Sequence, residues 1–391
     1  MARGTSGSAT GTVVVTGGSA GLGRAIALEF ARRGWNVALV ARGRERLRHA
    51  LEEVQATGAR GLALVADVAD AGALFRAADQ AADVLGGIDI WINNAATNLF
   101  AEFEDITPGE FRRATEVIYL GQVHGTMAAL RHMRPRDHGT IVQIGSALAY
   151  RAIPMQTAYC GAKFAVRGFT DALRSELRHE SSNVKLTMVQ LPAMNTPQFE
   201  WSTNKMGRRF QPVPPIYQPE AVAVQVVDAA IAAPRERWIG LSTLTTVLGT
   251  MAAPGLGDRV LAREGYTLQL THEPTPRDTV SNLYEPAPGD FAAHGRFDAK
   301  AYNNARMFSP GAVRATIAVA GLGLLAGALA LGRRSGAARA RGTVQAGRSQ
   351  WVGAEGQQAR AVSGPRSMQA GDAEVMGAAG GVVAAELGES R

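Results

Sequence analysis

The sequence predicts an α/β fold, a doubly wound parallel sheet in a single domain, followed by a C-terminal extension. Two observations predict it. From Thr12 to about Gly240, short runs rich in Val, Ile and Leu alternate with longer segments of helical periodicity. The short runs are apolar at successive positions, as strands covered on both faces require. Strand–helix alternation of this kind is made by right-handed crossovers between parallel strands.

In order, strands are expected at 12–16, 36–41, 61–66, 88–93, 140–144 and 184–191. Helices are expected between them at 22–33, 44–57, 71–85 and 158–178, where apolar residues recur at helical spacing. The stretch 192–219, with several prolines and with Phe199, Trp201 and Phe210, reads as a loop-rich lid over the carboxyl edge of the sheet. A helix at 219–232 and a last strand at 236–240 come next, and Pro254-Gly255 is read as the end of the ordered pattern. The organisation expected is a polar arm (1–11), a nucleotide-binding catalytic domain (12–253), a Pro/Gly-rich extension (254–310), an apolar helix (311–334) and a disordered tail (335–391).

Composition narrows the function. Of 391 residues, 46% are hydrophobic, enough for a large core. The net charge of +7 is spread along the chain without a basic stripe, which argues against nucleic acid as a partner. The single cysteine, Cys160, allows no intrachain disulfide, and the seven histidines show no ligand pairing, so no metal site is expected. Cys160 reads as a packed helix residue, and His124, His132 and His138 as surface or capping residues. Residues 1–11 have no apolar core of a signal peptide, and a cytoplasmic, reduced enzyme is expected.

The first strand leads into Thr16-Gly17-Gly18-Ser19-Ala20-Gly21-Leu22-Gly23 and then a helix. Glycines there let the backbone turn tightly and approach a pyrophosphate, while the helix N-terminus offers free N–H groups to the anion. Gly17, Ser19, Gly21, Leu22 and Gly23 are therefore expected to bind a dinucleotide; the alternative is a Gly-rich turn with no ligand. The spacing TGxxxGxG resembles the short-chain dehydrogenase/reductase superfamily, a Rossmann-type fold, and the resemblance runs from Thr12 to about Gly240.

In a Rossmann site, an acidic residue after the second strand favours NAD, whereas an Arg pairs with the 2′-phosphate of NADP. Arg42 stands there, with Arg44 and Arg46 near, so NADP(H) is the expected cofactor; the alternative is that 42–48 merely begins a solvated helix. The resemblance implies that Asp67 and Val68 border the adenine. It also implies that Asn93-Asn94-Ala95-Ala96, with Asn94 and Ala95 facing the cofactor, matches an NNAG-like segment bracing the sheet.

Tyr159 and Lys163 form a YxxxK pair at the start of a helical pattern, and their spacing of four puts both on one helix face. A nearby Lys⁺ and an oxidised nicotinamide draw a phenol toward ionisation. By resemblance, Ser146 lies beside the tyrosine and Lys163 also holds the nicotinamide ribose. The expected chemistry is interconversion of a small-molecule carbonyl (ketone or aldehyde) and its alcohol by hydride transfer, with Tyr159 as acid/base. Pro192 and Thr196 resemble a PGxxxT segment that meets the nicotinamide, although the Thr comes one residue early and Ala193 replaces Gly.

The chain departs from the family at Ile118, where an Asn that holds a relay water is common. Thr115, Tyr119 or backbone groups are the alternatives for that relay, and a non-catalytic nucleotide-binding scaffold or sensor is the rival function. Phe100, Tyr150, Ile153, Met155, Phe199, Trp201 and Phe210 are either substrate-pocket walls or plain packing. A homo-oligomer is implied by resemblance. The uncharged run 315–332 makes about 27 Å of helix against roughly 30 Å of hydrocarbon, so it is read either as a membrane anchor or as a helix docked on protein.

Overall fold

The computed structural model describes residues 10–275, 280–320 and Leu322. Its main sheet has eight strands: β1 (Thr12–Thr16), β2 (Asn36–Ala41), β3 (Gly61–Val65), β4 (Ile90–Asn93), β5 (Thr140–Ile144), β6 (Lys185–Gln190), β7 (Glu236–Ile239) and β8 (Met307–Phe308). Their order is β8-β7-β6-β5-β4-β1-β2-β3. Every neighbouring pair is parallel except β7 with β8. The chain runs outward from β1 to β3, then returns to start again at β4 on the other side of β1. That reversal opens a crevice at the carboxyl ends of β1 and β4, the usual ligand position in such sheets.

Strand β1 shows why its three central positions are apolar. Val13 and Val15 face α1 (Gly21–Arg32), whose Ile26 and Phe30 join them in one core cluster. Val14 points to the opposite face, where Leu74 and Ala78 of α3 (Ala71–Leu85) and Trp91 of β4 close around it. Helix α2 (Arg44–Ala56) adds Leu47, Ala50 and Val54 to the first layer. A strand covered on both faces takes apolar side chains at its centre, and the threonines at the two ends of β1 are buried with their hydroxyls bonded to the Leu85 and Ile92 carbonyls. Strand β4 begins two residues later than its apolar pattern, and just before it the Asp89 carboxylate accepts the Thr12 N–H at 2.9 Å while the Asp89 main chain bonds to Thr12 and Thr140.

Helix α4 (Pro108–Thr115) starts from a capping box between Thr107 and Glu110, with Pro at its first position. It passes through a π-helical turn, Glu116–Leu120, into α5 (Gly121–Met133). Helix α6 (Thr157–His179) carries the YxxxK pair in its first turns. Helix α7 (Pro219–Ala232) packs on α1.

Pro254-Gly255 does not end the ordered pattern. After α8 (Leu241–Ala252), Pro254 is the first residue of α9 (Pro254–Gln269), where its missing N–H is no loss because a first-turn N–H has no partner within the helix. The next residues, Leu270–Pro274, pair antiparallel with Arg208–Phe210. Residues 280–306 then run back across the carboxyl edge of the sheet before entering β8. A helix at 310–320 comes after it, its Val313 packed in the cluster of Tyr150, Trp238 and Val247.

Among the described residues, no helix is long and apolar enough to cross a membrane. Most of the run 315–332, the tail 335–391 and all but the end of the arm 1–11 lie outside the described residues.

Candidate active site

Strand β1 ends at Thr16, whose hydroxyl ties the phosphate loop to the segment after β4. Thr16 Oγ1 donates to the Ile92 carbonyl at 3.1 Å and accepts the N–H groups of Asn94 (2.9 Å) and Ala95 (3.1 Å). Asn94 Nδ2 returns a bond to the Thr16 carbonyl at 3.0 Å. The loop leaves little room for side chains. A Cβ on Gly23 would stand 2.2 Å from the Gly17 carbonyl oxygen, and Gly17 itself has φ +67 with the Ala95 backbone 2.9 Å from its missing Cβ. This is a cradle that glycine alone fits, at the start of a helix with no side-chain cap, so the loop suits a dinucleotide pyrophosphate.

Behind it, Asn93 is buried and fully engaged. Its Nδ2 donates to the Gln122 carbonyl, Thr126 Oγ1 and Gln143 Oε1 at 3.0–3.2 Å, and its Oδ1 accepts from Trp91 Nε1 at 2.8 Å. Gly125 permits this, since a Cβ there would lie 2.0 Å from Asn93 Oδ1. The network holds β4, β5 and α5 in register at the crevice.

At the other wall, β5 delivers Ser146 and α6 delivers Tyr159 and Lys163. Ser146 is fixed through its N–H to Gln190 Oε1 (2.8 Å), its Oγ accepts the Leu148 N–H (3.1 Å), and it lines the same cavity as Tyr159. Lys163 is 2% exposed and donates from Nζ to the Ile144 carbonyl at 2.7 Å. Burial pushes Tyr159 up to about 12, against the lowering influence of Ser146, and pushes Lys163 down to about 7. Both shifts have one cause: a poorly solvated site disfavours phenolate and ammonium alike. Cys160 is buried beside them on the same helix, and desolvation pushes its thiol up to about 11, as befits a packed residue.

A cavity of about 450 Å³ runs along this edge, and every residue singled out for catalysis or cofactor binding lines it: Gly17, Ser19, Gly21, Leu22, Gly23, Arg42, Asp67, Val68, Asn94, Ala95, Ser146, Tyr159, Lys163, Pro192 and Thr196. Of the aromatic and apolar candidates for the substrate wall, Phe100, Ile153, Phe199 and Trp201 line it as well. Met155 and Phe210 sit behind Phe100 as packing, and Tyr150 belongs to the cluster around Trp238, its hydroxyl donating to Glu236.

Ile118 is fully buried on the π-helical turn, packed with Ala114, Ala158, Ala162 and Leu283 beside Tyr159. Neither Thr115 nor Tyr119 reaches the cavity: the Thr115 hydroxyl donates to the Phe111 carbonyl at 2.9 Å, and the Tyr119 ring packs edge-on against Phe169. His124 contacts the Val68 carbonyl and His132 contacts Asp79 at 2.9 Å.

Several lining residues lay beyond sequence reasoning. Asn98, Gln156 and Gln269 form a buried chain of amides, 2.9 and 2.6 Å between members, which ties α9 to the loop before Tyr159. Ser242, Thr246 and Leu261 come from α8 and α9, and Asn282 and Pro286 from the returning segment. No motif marks them, and those at 242–286 reach the site from a part of the chain far beyond Tyr159.

Residues 11–206 match the short chain dehydrogenase family. An uncharacterized oxidoreductase, YxnA of Bacillus subtilis, is 31% identical over 324 residues, covering 81% of this chain and 90% of the relative. The 3-ketodihydrosphingosine reductase of Bos taurus is 33% identical over 227 residues, 56% of this chain and 68% of the relative. Among solved structures, an alcohol dehydrogenase from Thermococcus sibiricus complexed with 5-hydroxy-NADP shares the fold with a TM-score of 0.51 at 24% identity, covering 58% of this chain and 94% of that one. Relatives named as oxidoreductases set aside the non-catalytic scaffold. The chain belongs to the short-chain dehydrogenase family and is an oxidoreductase.

Proposed function

We propose that the protein reduces a bulky apolar ketone or aldehyde with NADPH, reversibly, with Tyr159 as general acid. One observation carries this reading: Ser146, Tyr159 and Lys163 line the same cavity as the glycine cradle and Arg42. When bound, the reduced nicotinamide supplies the hydride. Tyr159, held protonated by burial across the physiological range, gives its proton to the carbonyl oxygen. Ser146 donates to the same oxygen as charge develops on it. Lys163, when protonated, lies 5.6 Å from the Tyr159 ring centroid and favours the phenolate left behind. Ile118 and Leu283 close that side of the tyrosine with apolar packing, so the phenol is re-protonated from the cavity side.

Gly17, Ser19, Gly21, Leu22 and Gly23 are assigned to the pyrophosphate, Arg42 to the 2′-phosphate, Asp67 and Val68 to the adenine, and Asn94, Ala95, Pro192 and Thr196 to the nicotinamide half. Leu148, Ile153, Phe199, Val213 and Leu261 give the substrate end an apolar lining. That lining, and the sphingoid ketone in the name of the bovine relative, support a long-chain or bulky substrate. The test is NADPH consumption by the purified protein against a panel of long-chain, aromatic and small ketones. Turnover confined to the long or bulky members is expected. Equal rates with small aldehydes would overturn the substrate class, and no consumption with any member would overturn the activity. The family supports a homo-oligomer, checked by light scattering. A lipid-contacting role for 315–332 rests on composition alone and is checked by membrane fractionation of the full chain.

A further inference from the structure

Residues 281–297 form a strap across the adenosine end of the cavity, and it is held chiefly by arginines donating to its main-chain carbonyls. Arg42 donates from Nη1 to Tyr284 at 2.7 Å and from Nη2 to Asn282 at 2.5 Å. Arg46 donates from Nη1 to Ala287 at 2.5 Å and Gly289 at 3.4 Å. Arg113 donates to Leu283, Arg24 to Phe291, and the loop N–H of Gly21 to Ala292, at 3.0–3.3 Å.

Side chains pin the strap from its other side. Leu283 is buried against Ile118, Ala158 and Ala162, and so occupies the neighbourhood where the family commonly keeps a polar Asn. Asn282 donates its N–H to Trp201 and accepts from Thr97 Oγ1, both at 2.9 Å. Phe291 packs edge-on against Trp201, 4.7 Å between centroids.

Arg46 is the unexpected member. Three residues into a surface helix, it is only 8% exposed, lines the cavity, and is fixed over the Trp201 ring at 5.0 Å and the Phe291 ring at 5.9 Å. Its Nε is buried with no hydrogen-bond partner. A buried charged donor without an acceptor is costly, so an acceptor from the cavity is the natural complement. The nearby carboxylates already have partners: Asp67 is bonded to Arg113 and lies 3.9 Å from Arg42 Nη1, Glu53 pairs with Arg24, and Asp290 with His49 and Arg24, so none of them is bonded to Arg46 Nε. Strap carbonyls take only part of each guanidinium's five donors, leaving N–H groups of Arg42 and Arg46 for one anion.

We propose that the strap is a brace for a two-arginine phosphate site: its carbonyls hold Arg42 and Arg46 so that their remaining donors receive a phosphate monoester dianion, the 2′-phosphate of NADP(H). This rests on the nicotinamide-dinucleotide reading above and adds Arg46 and the strap to it. The strap therefore determines cofactor choice from 240 or more residues away in sequence, through geometry imposed on side chains of α2 and the loop before it.

The test uses the full chain and four probes: NADPH, NADH, adenosine 2′,5′-bisphosphate and adenosine 5′-monophosphate. Arg46→Met keeps the stem and removes the donors. It is expected to weaken both 2′-phosphorylated probes by about tenfold or more, while NADH and the monophosphate change by less than about twofold. Equal loss on all four probes, or no loss, overturns the assignment of Arg46. If that variant does not fold, Arg46→Lys, which lacks the Nε donor, is read by the same criterion. The double variant Asn282→Ala, Phe291→Ala loosens the strap and is expected to lower NADPH affinity more than NADH affinity. Tighter NADPH binding in it would make the strap a competitor of the phosphate and overturn the brace. If the unaltered protein binds neither dinucleotide, the underlying reading fails instead, and the bisphosphate alone still decides whether Arg46 is an anion site.

Discussion

Lys163 is an ammonium placed where water is scarce, and Tyr159 is a phenol in the same situation. At this scale the sequence supplied identity and face, since a spacing of four on a helix puts both groups on one side. The magnitudes came from enclosure. The Lys163 value falls from 10.5 to about 7 on burial, so between those values the unfolded chain holds a proton that the folded chain does not. Stability therefore rises with pH across that window, and the penalty is fully present below about pH 7. Tyr159 acts at the alkaline end in the opposite sense: its value rises from 10.0 to about 12, so stability is lost as pH climbs through that range. Lys163→Met is expected to flatten the rise between about pH 7 and about pH 9.5, measured by urea unfolding of variant and parent; an unchanged slope would remove Lys163 as its source. Tyr159→Phe is expected to cost at least about 10²-fold in turnover while NADPH affinity stays within about twofold, measured by steady-state rates and nicotinamide fluorescence.

The phosphate loop is the element most fully legible in the sequence, because its constraint is local: a strand, a turn that needs φ beyond the reach of most residues, and a helix start. Its tightest point is Gly23, where a methyl group meets the Gly17 carbonyl oxygen at 2.2 Å and Asn94 Nδ2 at 2.5 Å. Backbone cannot yield there without opening the loop. Gly23→Ala is expected to lower stability by about 1–3 kcal/mol and dinucleotide affinity by about tenfold, measured by thermal melts and fluorescence titration. Helix α9 shows the opposite case. Pro254-Gly255 carries a breaker signal, yet Pro at the first turn and burial of Gln269 against Pro154 and Gly265 make it a helix start. A dipeptide signal cannot distinguish a stop from a first turn, because the difference lies in the next dozen or so residues and the surface they pack on.

In the whole molecule, the described residues from 10 to 320 form one compact unit, so the returning segment belongs with the sheet it crosses. Strand β8 pairs Phe308 with Trp238, and Val313 then packs beside Trp238 and Val247. A fragment 1–322 is accordingly expected to melt within about 3 °C of the full chain and to bind NADPH equally, whereas 1–306 is expected to melt at least about 4 °C lower, since about 1 kcal/mol moves a domain of this class by 2–4 °C. Equal melting of both fragments would remove β8 and the helix after it from the folded core. The sequence by itself determined the parallel sheet, the glycine loop and the shared helix face of Tyr159 and Lys163, because apolar periodicity, glycine conformation and helix spacing act over a few residues, while Ser146 was marked by the family resemblance. Tertiary structure alone decided which aromatics face the cavity, that Ile118 receives Leu283 in place of a polar relay, and that carbonyls of 282–289 hold Arg42 and Arg46. Those contacts join segments far apart in the chain, and main-chain carbonyls, present at every residue, leave no mark in a sequence.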